Sequence, residues 1–244
     1  MLLEIKNVTK SFYGMVAINN LSLDFEEGQL RCIIGPNGSG KTTLFNLITG
    51  YFQPTSGKVI FDGQDITKMS ISQISRLGTC RKFQNPNIFG DLTVEDNLRV
   101  VAISEHKFTS FLKKSDDDGV LEQIDSVLQT IDLSSKRGWR AESLSHGEKQ
   151  WLEIGMVLIK KPRIILLDEP TAGMTSSETR KTSELIRSIG SSTTCIVIEH
   201  DLDFIRSLNG RVTVLNRGEF LAEGTYEEIA SNREVRDVYL GDEE

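Results

Sequence analysis

The stretch Gly35-Pro36-Asn37-Gly38-Ser39-Gly40-Lys41-Thr42 gathers glycines, a lysine and hydroxyls in one short run, matching the pattern G-x-x-x-x-G-K-[ST]. Such a run binds polyphosphate. Glycines let successive backbone N–H groups turn toward anionic oxygens, and the helix expected from Thr43 to Ile48 adds unpaired amides and the positive end of its dipole. Lys41 is then placed to reach the terminal phosphates, and the Thr42 hydroxyl to ligate Mg²⁺. The second chemical element is Ile164-Ile-Leu-Leu-Asp168-Glu169, an apolar run that ends in two carboxylates. Beside a phosphate loop, Asp168 suits the Mg²⁺ shell and Glu169 suits polarising an attacking water. Either piece alone means little; a turn that merely joined strand to helix would not need both Lys41 and Thr42.

These groups need strands that stop at the site and helices that start there. Arg31 to Ile34 reads as the strand feeding the loop. Ile164 to Leu167 and Cys195 to Ile198 are short, β-branched and followed at once by charge, as buried parallel strands are. The helical stretch Ser176 to Ile189 between them completes a βαβ unit. Leu2 to Val8, Ile18 to Phe25 and Val59 to Phe61 read as strands of a sheet with one wet face, since Leu21, Leu23 and Phe25 alternate with polar residues. Residues 93–158 break this rhythm: Val120, Ile124, Val127, Leu128 and Ile131 mark one amphipathic helix, and Trp151 to Ile159 another. Lys113 to Gly119 reads as a solvated loop. Val212 to Leu215 and Glu219 to Ala222 form a hairpin about Asn216-Arg-Gly218, and Thr225 with Glu228 predicts a capping box opening a helical tail.

The chain has 244 residues, 38% hydrophobic and 26% charged, the mix of one globular domain. Lys and Arg number 28 against 35 Asp and Glu, a net charge of −7, which argues against nucleic acid as a partner. Cys32, Cys80 and Cys195 lie far apart with no metal-ligand spacing, so neither a disulfide scaffold nor a zinc module is expected and a reducing compartment fits. No run approaches the roughly 18 apolar residues that span a bilayer, so any membrane role must come through partners.

With the phosphate loop and the carboxylate pair in place, the whole length resembles the nucleotide-binding subunit of an ATP-binding cassette (ABC) transporter. Leu144-Ser145-His146-Gly147-Glu148 is similar to the family signature Leu-Ser-Gly-Gly-Gln, with His146 and Glu148 departing from it. The resemblance implies that Ser145 and Gly147 meet the γ-phosphate of ATP bound to an opposite subunit. Gln84 resembles the family's glutamine that touches Mg²⁺ and the attacking water, and His200 its switch histidine. Phe12 matches the aromatic that stacks on adenine, with Tyr13 beside it as the alternative. Ala172-Gly173-Met174-Thr175 stands where many members have Ser-Ala-Leu-Asp, so Thr175 replaces a charged residue.

The implied fold is α/β, a P-loop NTPase core with an N-terminal antiparallel β subdomain and an inserted α-helical subdomain. Residues 1–92 and 159–244 would form the core and 93–158 the helical insert carrying the signature. The implied cofactors are ATP and Mg²⁺. The implied partners are permease transmembrane subunits and a second ABC ATPase, related or identical. Within Arg81 to Arg99, apolar Ile88, Phe89 and Leu92 flanked by polar Asn85-Pro86-Asn87 and Asn97 read as a rimmed patch on which the permease docks. A solute-binding protein is engaged indirectly, and the place of work is the cytoplasmic face of the membrane. Asn19-Asn20, Arg81-Lys-Phe-Gln84 and Val238-Tyr-Leu-Gly241 resemble the branched-chain amino acid and urea uptake branch. Leu144 to Met156, with Ala172 to Thr175, is more similar to the urea side of that branch. A soluble iron-sulfur cluster assembly ATPase is the alternative from another class.

Overall fold

The computed structural model describes residues 1–82, 88–105 and 117–240. In chain order it forms β1 (Leu3–Phe12), β2 (Met15–Phe25), β3 (Leu30–Ile34), α1 (Lys41–Ile48), β4 (Ser56–Phe61), β5 (Gln64–Asp65), α2 (Ile71–Arg76), β6 (Thr79–Lys82), α3 (Val94–Glu105) and α4 (Asp117–Thr130). There follow α5 (His146–Leu158), β7 (Ile164–Asp168), α6 (Ser176–Gly190), β8 (Thr194–Ile198), α7 (Leu202–Leu208), β9 (Arg211–Asn216), β10 (Glu219–Gly224), α8 (Tyr226–Ser231) and α9 (Arg233–Leu240).

The amino-terminal sheet has the order β2-β1-β4-β5 and is antiparallel throughout. Along β2 the buried residues are Ile18, Leu21, Leu23 and Phe25, with polar neighbours outside, the alternation expected of a sheet with one wet face. The step from Ile18 to Leu21 is irregular because the pairing of β1 with β2 shifts register there. Asn7 and Asn20 absorb the shift with left-handed φ of 49° and 45°, and their side chains hydrogen-bond at 3.1 Å. Asn tolerates that conformation better than most residues with a Cβ.

The second sheet has the order β10-β9-β3-β8-β7-β6. β3, β6, β7, β8 and β9 are parallel and β10 closes one edge antiparallel. Every residue of β7 and β8 is buried, as a sheet covered on both faces requires. Successive side chains feed opposite cores. Ile165, Leu167, Cys195 and Val197 pack with the helices α3 to α7, while Ile164, Leu166, Ile196 and Ile198 pack with α1 and the antiparallel sheet. Burial pushes the Cys32 and Cys195 thiols up to about 12, and no disulfide joins the three cysteines.

Five elements, β5, α2, β6, α3 and α7, differ from the sequence expectation by being there at all. β6 reads Thr-Cys-Arg-Lys and lacks an apolar run, yet it pairs with β7 at the sheet edge. α2 starts at a Ser70 capping box closed by Gln73. α5 begins at His146, so the helical run Trp151 to Ile159 continues a helix that the signature segment leads. The Lys82 ammonium, 3.5 Å from Glu153, ties β6 to α5 in the interior; burial lowers the Lys82 pKa and Glu153 opposes that. The carboxy-terminal hairpin and the Thr225–Glu228 capping box are present as expected.

Candidate functional site

The loop 35–40 leaves β3 and enters α1 with positive φ at Gly35 (151°), Gly38 (79°) and Gly40 (98°). Gly35 and Gly40 also lack room for a side chain. A Cβ on Gly35 would stand 2.1 Å from the Leu215 carbonyl, and one on Gly40 would stand 2.7 Å from that of Ala17. The turn of the β9–β10 hairpin braces the loop, since Gly218 N–H donates to Ser39 O at 3.1 Å and Asn19 N–H to Gly218 O at 2.9 Å. Ser39 is buried beneath this contact, while Asn37, Gly38 and Thr42 are exposed, with Pro36 and Thr43 half-buried. Gly40 caps α1 without a side-chain hydrogen bond, and no acidic residue occupies the first turn. Lys41 Nζ folds back onto Gly35 O at 2.7 Å and Pro36 O at 2.9 Å. Burial lowers its pKa, opposed by Glu169 and Asp168, so both carboxylates act on this ammonium.

Asp168 and Glu169 leave the end of β7 in different states. Asp168 is buried and accepts Arg81 Nη2 at 2.8 Å; the same guanidinium donates to Asn46 Oδ1 on α1 at 2.5 Å. Glu169 turns the chain with φ 46°, held by its N–H on Ile198 O at 2.9 Å. His200, after β8, is 73% exposed and sets Nδ1 3.8 Å from Glu169 Oε1. Beside His200 lies a carboxylate that sequence reasoning passed over. Glu199 is 2% exposed and accepts from Thr171 N–H at 3.1 Å, Thr171 Oγ1 at 2.5 Å and His200 N–H at 3.1 Å. The available signal was a lone acidic residue at the end of an otherwise apolar strand. Arg81 carried no comparable signal, because β6 was not expected.

The signature segment lies at the start of α5. Ser145 caps the helix and forms a reciprocal box with Glu148, whose other oxygen meets Lys136 Nζ at 2.6 Å. Glu148 is thereby turned toward its own chain. Ser145 Oγ also donates to Glu178 Oε1 at 2.9 Å, and Gly147 N–H donates to the same oxygen at 3.3 Å. A Cβ on Gly147 would stand 2.6 Å from that carboxylate. His146 Nε2 lies 3.0 Å from Ala172 O; a carbonyl only accepts, so Nε2 carries the proton. The two stretches that depart from the family pattern, 145–148 and 172–175, therefore touch each other.

Phe12 is half-buried, edge-on to Phe52 at 4.9 Å between ring centroids, whereas Tyr13 is fully exposed at the hairpin turn. Gln84, with the neighbouring Asn85-Pro86-Asn87, lies outside the described residues. Phe89 is 49% exposed. Asn97 differs from the expected polar rim: it is fully buried and binds Phe89 N–H at 2.7 Å and Phe89 O at 3.0 Å, holding that segment from beneath. An apolar groove of about 190 Å³ beside β6 is lined by Tyr51, Ile71, Ile74 and Val157. Tyr239 on α9 is also unanticipated. Although the residue is 38% exposed, partial burial pushes its phenol up to about 12, against an opposing hydrogen bond with the Gly35 backbone.

For Mg²⁺ the donor chemistry fits. Among the described residues no cluster of His, Cys, Asp and Glu forms a metal cage. Asp168 Oδ1 takes no hydrogen bond from a described residue, and Thr42 is open to solvent. One carboxylate and one hydroxyl, completed by phosphate and water oxygens, suit an ion that dehydrates reluctantly. No helix among the described residues is long and apolar enough to cross a membrane.

Comparison with known proteins places this geometry. A family profile described as "ABC transporter" matches residues 18–172, and one described as "Branched-chain amino acid ATP-binding cassette transporter" matches residues 221–244. The high-affinity branched-chain amino acid transport ATP-binding protein BraF of Pseudomonas aeruginosa is 36% identical, over 99% of this chain and 98% of its own. Among solved structures, the ADP conformation of MJ1267, an ATP-binding cassette of an ABC transporter, superposes with TM-score 0.86 at 29% identity over 98% of each chain. The dimeric post-hydrolysis state of the cassette MJ0796, bound to ADP and Pi, gives TM-score 0.76 at 26% identity, over 92% of this chain and 98% of that one.

Proposed function

This chain belongs to the ABC transporter family and is the ATP-hydrolysing subunit of an importer, and from that premise we propose that it drives the uptake of urea. In this reading the amides of residues 35–43 and the Lys41 ammonium hold the phosphates, and Phe12 stacks on adenine. Thr42, Asp168 and Gln84 would hold Mg²⁺, which when bound would supply charge neutralisation for phosphoryl transfer. Glu169 takes a proton from the attacking water, and His200 keeps base and water in line. Ser145 and Gly147 serve the site of an opposing subunit, so two cassettes closing head to tail make two composite sites. The observation that carries the reading is the convergence of the phosphate loop, Asp168, Glu169 and His200 on the carboxyl ends of β3, β7 and β8.

The division into a core of residues 1–92 and 159–244 and a helical insert of 93–158 belongs to the same proposal. So do docking of permease subunits at the cytoplasmic face of the membrane, pairing with a second, related ABC ATPase, and supply by a solute-binding protein. Exposed Phe89 supports the docking surface, and the apolar groove beside β6, which Arg81 also lines, adds a concave face to the start of that segment. No residue here reads the solute, because the solute does not meet the ATPase. Urea is supported by the likeness of Leu144 to Met156 and of Ala172 to Thr175 to the urea branch. Branched-chain amino acids are the second reading, favoured by the function in BraF's name. Co-purification from source membranes, followed by ATP hydrolysis with each solute, tests both: urea-stimulated turnover with permease subunits supports the first, and stimulation by leucine alone replaces it with the second. Recovery with a soluble cluster scaffold and no permease would remove the transporter role.

A further inference from the structure

Glu199 is ionisable, buried, and unused by the reaction just described. A carboxylate so placed is tolerated only where hydrogen bonds replace its water, and all its bonds reach two loops. Oε1 accepts from Thr171 N–H and Oγ1, and Oε2 accepts from His200 N–H. Thr171 lies two residues beyond Glu169, on the loop after β7; His200 opens the loop after β8. These strands are neighbours, so the carboxylate is a strut between two loop starts, which the Glu169 N–H to Ile198 O bond also joins. The strut has a strained load. Glu169 holds φ 46°, a conformation that L residues with a Cβ avoid, and strained backbone persists where surrounding contacts over-determine it. His200 Nδ1 stands 3.8 Å from both Glu169 Oε1 and Glu199 Oε2, so the imidazole is set between the two carboxylates.

We propose that Glu199 is a positioning residue for ATP hydrolysis: by clamping Thr171 and the His200 amide it sets the distance between Glu169 and His200. The proposal rests on the reading of Glu169 and His200 given above. It predicts an effect on turnover and none on the phosphate loop, from whose residues Glu199 takes no hydrogen bond. Glu199→Gln tests this sharply. An amide keeps the volume, but only its oxygen accepts; whichever way it turns, one N–H donor now faces either Thr171 or His200.

The experiment measures ATP hydrolysis by the subunit co-purified with its membrane partners, for E199Q, T171V, the double variant, E169Q and H200A. The expected result is a kcat at least tenfold lower for E199Q with KM for ATP within threefold of wild type. T171V should be affected in the same sense but less, and the double variant should be no worse than E199Q alone, since both changes cut one clamp. A kcat for E199Q within twofold of wild type, while E169Q and H200A are inactive, overturns the proposal and leaves the site reading standing. Full turnover by E169Q and H200A overturns the site reading itself. Should E199Q fail to fold, T171V decides: lowered kcat at unchanged KM supports the strut, and wild-type kcat overturns it.

Discussion

The amino-terminal ends of α1 and α5 obey the same physics and are finished in opposite ways. Each presents unpaired N–H groups and the positive end of a helix dipole. At α1 the cap is Gly40, with no side-chain bond and no acid in the first turn, and the nearest charge is a lysine. At α5 the cap is Ser145, the box is closed by Glu148, and Glu178 takes both the Ser145 hydroxyl and the Gly147 amide. The first end is left for an anion from outside the chain. The second is already satisfied by two carboxylates of the same chain, so in the composite site proposed above a phosphate reaching this end would have to displace Glu178. A phosphate loop and a signature segment are thus not equivalent anion sites, although both are helix starts.

The comparison can be broken at either end. The largest effect is expected for Glu169→Gln, which keeps shape and loses the base: kcat should fall by roughly 10²-fold or more while ATP still binds. Steady-state turnover near wild type would remove Glu169 from the open end's chemistry. Lys41→Ala should weaken ATP-analogue binding by about 2 to 3 kcal/mol, because a charge-assisted contact to phosphate is lost; calorimetry on the isolated chain reads this directly. At the closed end, Glu178→Ala removes both bonds to the start of α5 and the acidic half of the Thr175 capping box of α6, and should cost about 1 to 2 kcal/mol in denaturant unfolding without changing the nucleotide affinity of the isolated chain.

Acid should act on the same latch. Hydrogen bonds from Thr175, backbone and side chain, are the main cause holding the Glu178 pKa below its ordinary 4.5. A lowered folded-state pKa means stabilisation that is complete above the ordinary value and is lost as pH falls from there through the folded-state value. Protection from hydrogen exchange at Gly147 and the first turn of α6, taken relative to the intrinsic rate at each pH, should therefore fall below about pH 4.5, with no matching loss at α1, which has no acid to protonate. The smallest effect is reserved for the base: Phe12→Ala should weaken adenine nucleotide binding by roughly 1 kcal/mol, and Tyr13→Ala by less. The opposite ranking would give the stacking role to Tyr13.

The chemistry-bearing pieces were legible in the sequence because each is local. Gly35 to Thr42 is one turn, Asp168 and Glu169 end one strand, and Thr225 with Glu228 is one cap. The buried strands announced themselves as apolar runs, and β2 by alternation. What escaped was whatever has its partner far along the chain. β6 is polar and becomes a strand only by pairing with β7; that pairing brings Arg81 to Asp168. Asn97 looked like a surface rim residue and is a buried brace.

By itself, then, the sequence determined which residue types stand at the ends of β3, β7 and β8, since loop, carboxylates and histidine depend on short-range spacing and on strand runs of a few residues. Only the tertiary structure decided their separations and their attendants: Glu199 between two loops, Arg81 on Asp168, Glu178 on the start of a helix more than 30 residues away. The reason is physical. A hydrogen-bond pattern along one element has a period that composition reveals, whereas a buried carboxylate is satisfied by whatever donors the fold brings within about 3 Å, and sequence spacing carries no record of that distance.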